Sequence, residues 1–495
     1  MTYSDYEQHL QKIADLRHSY AVLQWDQETY MPPKSASLRG RQLATLSELA
    51  HRFFASQQTA DMLERLLEQP TLSPMQRRNI ELSLYDYNKA KKLSPEFVRQ
   101  LTETVNRSFH SWIESRKLNS FARFEPDLSE LVELKKQEAH LLGFTDHPYN
   151  ALLNDYERGA TVSLLDGVFA NIRTPLKDLL QKIRSVPQVD DAFLHQHFSK
   201  DSQWNYGMQL LKQIGFDFEA GRQDISEHPF TTSFSPYDVR ITTRIDEKDF
   251  NNMTWSTIHE LGHALYEQGL PASEYGLPLG EACSLSIHES QSRLWENQVG
   301  RSLAFWRYHY PTLQKEFPQQ LGQVPLDRFY AAINKVQPSL IRTEADEVTY
   351  HFHVMIRYEL EKRLLEGSIR VADIPAYWNE QYEQYLGVKS PDDRNGCLQD
   401  VHWSHGSFGY FPTYSLGSFY AAQFFDQATR DIPSLQTEIE NGTYQSLVNW
   451  LRQKIHVHGR YYTSEELCAQ VCRQPLDITH FMQYLLDKYA KIYQF

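Results

Sequence analysis

Residues 4–24, SDYEQHLQKIADLRHSYAVLQ, set Tyr6, Leu10, Ile13, Leu16, Tyr20 and Leu23 at successive steps of three and four. That is the period of an amphipathic helix, whose apolar stripe must cover another element. The same stepping runs through Leu43, Leu46 and Leu49, through Ile80, Leu84 and Tyr87, and through the stretches around residues 96–117, 127–141 and 162–184. Only 21 Gly and 22 Pro occur in 495 residues, too little turn material for a β-sandwich or barrel. A mostly α protein is therefore expected. No Gly/Ser-rich or Pro-rich linker and no repeat period interrupts the chain, so residues 1–495 are expected to form one continuous domain.

One segment leaves the helical period. Val239, Ile241, Thr243 and Ile245 alternate at period two in a β-branched run, which reads as a strand. The stretch from His228 to Phe234, followed by the turn-like Ser235-Pro236, can pair with it as a hairpin. A small antiparallel β-sheet beside the next helix is the expectation.

Composition removes several classes of function. The balance of 50 Lys+Arg against 63 Asp+Glu, net −13, excludes a basic nucleic-acid binder. Asp5, Glu7, Asp15, Arg17, Asp26 and Glu28 leave no uncharged signal core in the first thirty residues, and no uncharged apolar run approaches ~18–20 residues. A cytoplasmic protein with no membrane partner follows, and the four cysteines read as reduced thiols. Cys468 and Cys472, at i, i+4 on a helical pattern, read as small buried residues.

The helix after the strand carries the chemistry. His259-Glu260-Leu261-Gly262-His263 matches H-E-x-x-H, and residues four apart stack on one helix face, so both imidazoles can reach one zinc ion while Glu260 projects beside it. Ile258, Leu261 and Leu265 give the motif a buried back face, Gly262 permits close helix packing, and Gly269 with Pro271 supplies a stop. A catalytic zinc takes a third protein ligand and keeps a position for water. Glu289, in His288-Glu289-Ser290 on the next helical pattern, is the natural third ligand. Such a set implies hydrolysis of an acyl or peptide bond by a zinc-activated water, with Glu260 as general base and then proton donor to the leaving amine.

Together these blocks make the chain resemble the carboxypeptidase Taq family of zinc metallocarboxypeptidases. The resemblance rests on His228-Pro229-Phe230, Asp238-Val239-Arg240-Ile241-Thr242, the H-E-x-x-H, His288-Glu289-Ser290, Ile341 to Asp346 and Gly396 to Trp403, in that order. The N-terminal stretch Leu23 to Thr29 and the length extend it to the whole chain. It implies a bilobed helical metallopeptidase with a deep central groove, a homodimer, and release of single residues from the free C-terminus of peptides with broad specificity. It also implies zinc at His259, His263 and Glu289, with cobalt or manganese able to substitute.

A carboxypeptidase must recognise a free carboxylate, and a planar guanidinium binds one bidentately. Arg342 and Arg240 are the candidates. The plainer readings are an i, i+4 pair of Arg342 with Asp346 on one helix, and a pairing of Arg240 with Asp238 or Asp400. A developing oxyanion needs a donor, and His405, Tyr410 and Tyr414, in a Gly-rich loop, resemble the His and Tyr loop of related helical zinc dipeptidases. His405 and Tyr414 are the expected oxyanion groups and Tyr410 a substrate-binding one, although either tyrosine can equally be a core aromatic. Asp400 and His402 read as supporting or structural residues, and His351, His353, His456 and His458 as structural or solvated. The rival readings are a zinc oligopeptidase or dipeptidyl carboxypeptidase on the same scaffold, and a helical peptide-binding protein without catalysis.

Overall fold

The computed structural model describes residues 2–495. Helices occupy every stretch where the three-and-four stepping occurs, including Ala36–Phe54, Pro74–Ala90, Pro95–Leu118, Glu125–Leu142 and Val162–Arg184. The chain divides into two compact units. One comprises the chain up to Ala90 with Asp190–Ile333 and Tyr420–Leu476, and the other comprises Lys91–Val189, Asn334–Phe419 and Asp477–Phe495.

In the first unit, helix α1 (Tyr3–Thr29) starts at a capping box: the Thr2 hydroxyl accepts from the Asp5 amide, and the Asp5 carboxylate accepts from the Thr2 amide at 2.6 Å. Its stripe of Tyr6, Leu10 and Ile13 is buried against Leu63, Leu66, Ile80 and Tyr87, with Leu16 packed at the edge. Three short strands follow, β1 (Gly221–Ile225), β2 (Thr231–Ser235) and β3 (Asp238–Thr243), in the order β1-β3-β2. β2 and β3 form the expected hairpin, with Thr231 opposite Ile241 and an irregularity at Ser233/Ser235. The sheet is mixed, however, not purely antiparallel, because β1 runs parallel to β3 on its other edge. β1 reads Gly-Arg-Gln-Asp-Ile, with no apolar alternation to announce a strand.

Helix α2 (Phe250–Glu267) is capped by Asp249 and buried on nearly every side. Its Ser256 hydroxyl hydrogen-bonds Thr243 of β3 at 2.7 Å, which fixes the helix on the sheet. Helix α3 (Leu285–Arg293), capped by Ser284, continues directly into a π-helical segment, Leu294–Gly300. Single π-turns of this kind are uncommon and recur at functional sites.

In the second unit, helix α4 (Tyr350–Glu366) is buried around most of its circumference, charged residues Arg357 and Glu361 included. His351 and His353 are interior groups there, hydrogen-bonded to Ser415 and Tyr382. All four cysteines are buried and unbridged. Among the described residues no helix is long and apolar enough to cross a membrane.

Candidate functional site

The two histidines of α2 and Glu289 of α3 converge because of what lies between them. A Cβ on Gly262 would sit 2.4 Å from the Ser292 Cα and 2.5 Å from the Gln291 carbonyl oxygen. Only glycine lets the two helices approach this closely. One ligand atom from each of His259, His263 and Glu289 then lies within 4.8 Å of the other two. Both Nε2 atoms face the same Glu289 oxygen, at 3.6 Å from His259 and 3.5 Å from His263.

The other ring nitrogens are committed. His259 Nδ1 hydrogen-bonds Glu296 at 2.9 Å, and since a carboxylate can only accept, Nδ1 carries a proton, so that in the neutral ring the lone pair is on Nε2. His263 is oriented through two hydrogen bonds. Glu267 accepts from His288 Nε2 at 2.7 Å, which makes His288 Nδ1 the acceptor for His263 Nδ1 at 2.5 Å. The His263 Nε2 lone pair is thereby also turned toward Glu289.

Arg293 ties the carboxylates together, donating from Nε to Glu289 at 2.7 Å and from Nη1 to Glu296 at 3.1 Å, while Arg301 reaches Glu296 from its other side. Burial alone would raise the Glu289 pKa, but Arg293, His259 and His263 outweigh it and hold the carboxyl well below its usual range. Glu296 is held down at about 2, burial being overcome there by Arg293 and His259. Burial lowers His263 to about 3, leaving it a neutral imidazole. Burial alone would lower the His259 pKa, but Glu289 and Glu296 outweigh it and raise it. Two imidazoles and one ionised carboxylate, each oriented by outer partners, suit a divalent metal with nitrogen and oxygen affinity.

Glu260 is buried beside this set. The Thr231 hydroxyl of β2 donates to its Oε2 at 2.6 Å. Burial raises its pKa, an effect that His259 and Thr231 only partly offset.

The remaining sequence candidates occupy different surroundings. Arg240 stays in the first unit, bidentate to Asp238 at 2.9 Å and lying over the rings of Trp25 and Phe234. Arg342, His405, Tyr410 and Tyr414 belong to the second unit. The Arg342–Asp346 pair does not form, because Arg342 lies in a single 3₁₀ turn, Arg342–Glu344, and not on an α-helix with Asp346. Arg342 is buried instead against Asp400, with Nε at 2.9 Å from Oδ1, while Arg357 of α4 binds Oδ2 at 2.6 Å. The Tyr350 hydroxyl takes the Arg342 Nη1 donor at 3.1 Å. Tyr414 lies under the Arg342 guanidinium, and its hydroxyl meets His402 Nε2 at 3.2 Å. Tyr410 packs edge-on against Tyr156, and the exposed His405 packs against Phe109.

Sequence reasoning missed Glu296, Arg293 and Thr231. A signal for two of them existed: Glu289, Arg293 and Glu296 step by four and three, one helix face. Thr231 carried none, since only the fold brings β2 beside Glu260.

A helical scaffold presenting a His-His-Glu donor set with a buried carboxyl alongside defines a metal-dependent peptide hydrolase. The family model described as carboxypeptidase Taq (M32) metallopeptidase matches residues 5–489, and the chain belongs to that family as a metallocarboxypeptidase. It is 39% identical to a thermostable carboxypeptidase 1 of Thermus thermophilus, covering 96% of this chain and 95% of the relative. With carboxypeptidase 1 of Bacillus subtilis the identity is 35%, covering 98% and 97%. The crystal structure of the M32 carboxypeptidase from Deinococcus radiodurans R1 superposes with a TM-score of 0.98 at 38% identity, covering 100% of this chain and 99% of that one.

Proposed function

We propose that this metallocarboxypeptidase releases single residues from the free C-terminus of peptides with broad specificity, using zinc held by His259, His263 and Glu289. The observation that carries the reading is the convergence of both Nε2 atoms on one Glu289 oxygen, with Glu260 buried beside them. When bound, zinc supplies Lewis acidity, polarising the scissile carbonyl and making water a better nucleophile at neutral pH. Glu260 takes the proton of the attacking water and returns it to the leaving amine, a role its raised pKa supports. Thr231 holds Glu260 Oε2, which leaves the proton transfer to Oε1. His405 or Tyr414 donates to the developing oxyanion, and Tyr410 contributes to substrate binding.

Arg342 or Arg240 takes the substrate carboxylate, each guanidinium being oriented in advance by an aspartate. The 1–495 chain works as one metallocarboxypeptidase domain, as a homodimer, in the cytoplasm, and cobalt or manganese substitutes for zinc.

A matched pair of peptides, one with a free C-terminus and one amidated, tests the reading. The acid is expected to be cleaved better by ~2–4 kcal/mol in kcat/KM if the charge pair is desolvated. Equal cleavage of the two moves the enzyme to the oligopeptidase reading. Arg342→Ala should remove most of the preference, and because Arg357 still neutralises Asp400, the loss would report recognition. A preference surviving Arg342→Ala but lost in Arg240→Ala reassigns the carboxylate to Arg240.

A further inference from the structure

Glu361 of α4 is fully buried, and the buried cation one turn before it, Arg357, is already engaged by Asp400. A desolvated carboxylate needs strong compensation. Here it comes from three donors. Oε1 accepts from the Trp403 indole at 2.8 Å, and Oε2 accepts from the Gly409 amide at 2.9 Å and from the Tyr149 hydroxyl. Trp403 and Gly409 are the two ends of one loop, five residues apart from inside to inside, with His405 between them, His402 just before and Tyr410 just after.

The Gly409 end is built for this contact. Its φ is +101°, and a Cβ there would sit 2.9 Å from the Leu152 carbonyl oxygen. A side chain is thus excluded twice, by conformation and by space, at the residue whose amide reaches the carboxylate.

We propose that Glu361 is a positioning residue of the peptidase reaction: its single carboxylate clamps both ends of the Trp403–Gly409 loop and so sets His402, His405 and Tyr410, and through His402 the Tyr414 hydroxyl. The inference rests on the reading that His405 or Tyr414 acts on the substrate. A misplacement of about 1 Å at such groups costs up to ~10²-fold in rate.

The test uses the metal-loaded full-length enzyme, assayed well below its unfolding temperature. Glu361→Gln keeps the shape but turns an NH₂ toward one of the clamped donors. kcat should fall by ~10–100-fold while KM changes little and metal stoichiometry stays at the parent value. Trp403→Phe, which removes only the indole donor, should lower kcat in the same direction by less, and it serves if Glu361→Gln fails to fold.

Combining Glu361→Gln with Tyr414→Phe or His405→Ala separates a clamp from a general weakening. Through a shared loop the losses are less than multiplicative, whereas independent losses multiply. Parent-like kcat in both Glu361→Gln and Trp403→Phe, or fully multiplicative losses, overturns the clamp. Parent-like kcat in His405→Ala and Tyr414→Phe overturns instead the assignment of the loop to catalysis, and the clamp with it.

Discussion

The α2/α3 pair and the Arg342–Asp400–Arg357 cluster bury charge in opposite proportions. Around His259 and His263 stand Glu260, Glu267, Glu289 and Glu296 against Arg293 and Arg301, an excess of negative charge. Around Asp400 stand two guanidiniums on one carboxylate, an excess of positive charge. A buried imbalance is costly unless something answers it. In the proposed function a divalent cation answers the first, and a peptide carboxylate the second. Substitutions that change one imbalance should affect its own region in a predictable way.

The largest effect is expected at Glu260. Glu260→Gln keeps the hydrogen bond from Thr231 but cannot hold a proton in transit, so kcat should fall by ~10² or more with the metal content unchanged. Metal analysis alongside steady-state kinetics checks it. Near-parental turnover in a metal-replete variant would remove Glu260 from the proton transfer.

Asp400→Asn should reveal the opposite imbalance, since it leaves Arg342 and Arg357 buried with no counter-charge. A loss of ~3–5 kcal/mol is expected for breaking a buried pair, read as a lower denaturation midpoint. Asp400 is held well below its usual pKa because Arg357 and Arg342 outweigh burial, so its contribution is present at neutral pH and is lost only as pH falls through that depressed value. If Asp400→Asn matched the parent in stability, the two guanidiniums would have another counter-ion.

Gly262→Ala probes what brings the first region together. Its methyl group would overlap Ser292 and Gln291, forcing α2 and α3 apart, at ~1–3 kcal/mol of stability. Glu289 would move away from His259 and His263, so a chelator should strip the metal faster. Unchanged chelator kinetics would mean that the helices separate without carrying Glu289 away.

These two regions also differ in how far the sequence reveals them. The metal set was legible because it is written in helical periods: His259 and His263 four apart, Glu289 on the next helical pattern, Gly262 between facing backbones. Even the overlooked Arg293 and Glu296 obey that period. The Asp400 cluster obeys none. Arg342 and Asp400 are 58 residues apart, Arg357 and Asp400 43, and the contacts bring together a 3₁₀ turn, helix α4 and a loop whose paths follow from packing. Periodicity suggested a local Arg342–Asp346 pair, whereas Asp346 accepts from the amides of Val348 and Thr349 just ahead of α4. β1 was missed for a related reason: a short polar strand is specified by its neighbour β3 and not by its own alternation.

The smallest effect concerns Glu361, one helical turn beyond Arg357. Burial pushes its pKa up to about 7 despite the hydrogen bonds from Tyr149, Gly409 and Trp403. In the unfolded chain a glutamate titrates near ~4.3, so between that value and about 7 the folded protein holds a proton that the unfolded chain has released. Raising the pH through this window therefore favours unfolding: the contribution is fully present below the unfolded pKa and is lost as pH rises through the folded one. Gln at this position cannot titrate. Comparing the parent with Glu361→Gln cancels the groups they share, the proposed metal ligands included. Between pH 6 and pH 8 the parent should lose about 1.4 kcal/mol relative to the variant, a change of about 1 °C in the difference between their Tm values. A difference in Tm that stays constant across that range would place the Glu361 titration outside it, with the carboxylate ionised throughout and its three hydrogen bonds stronger than burial.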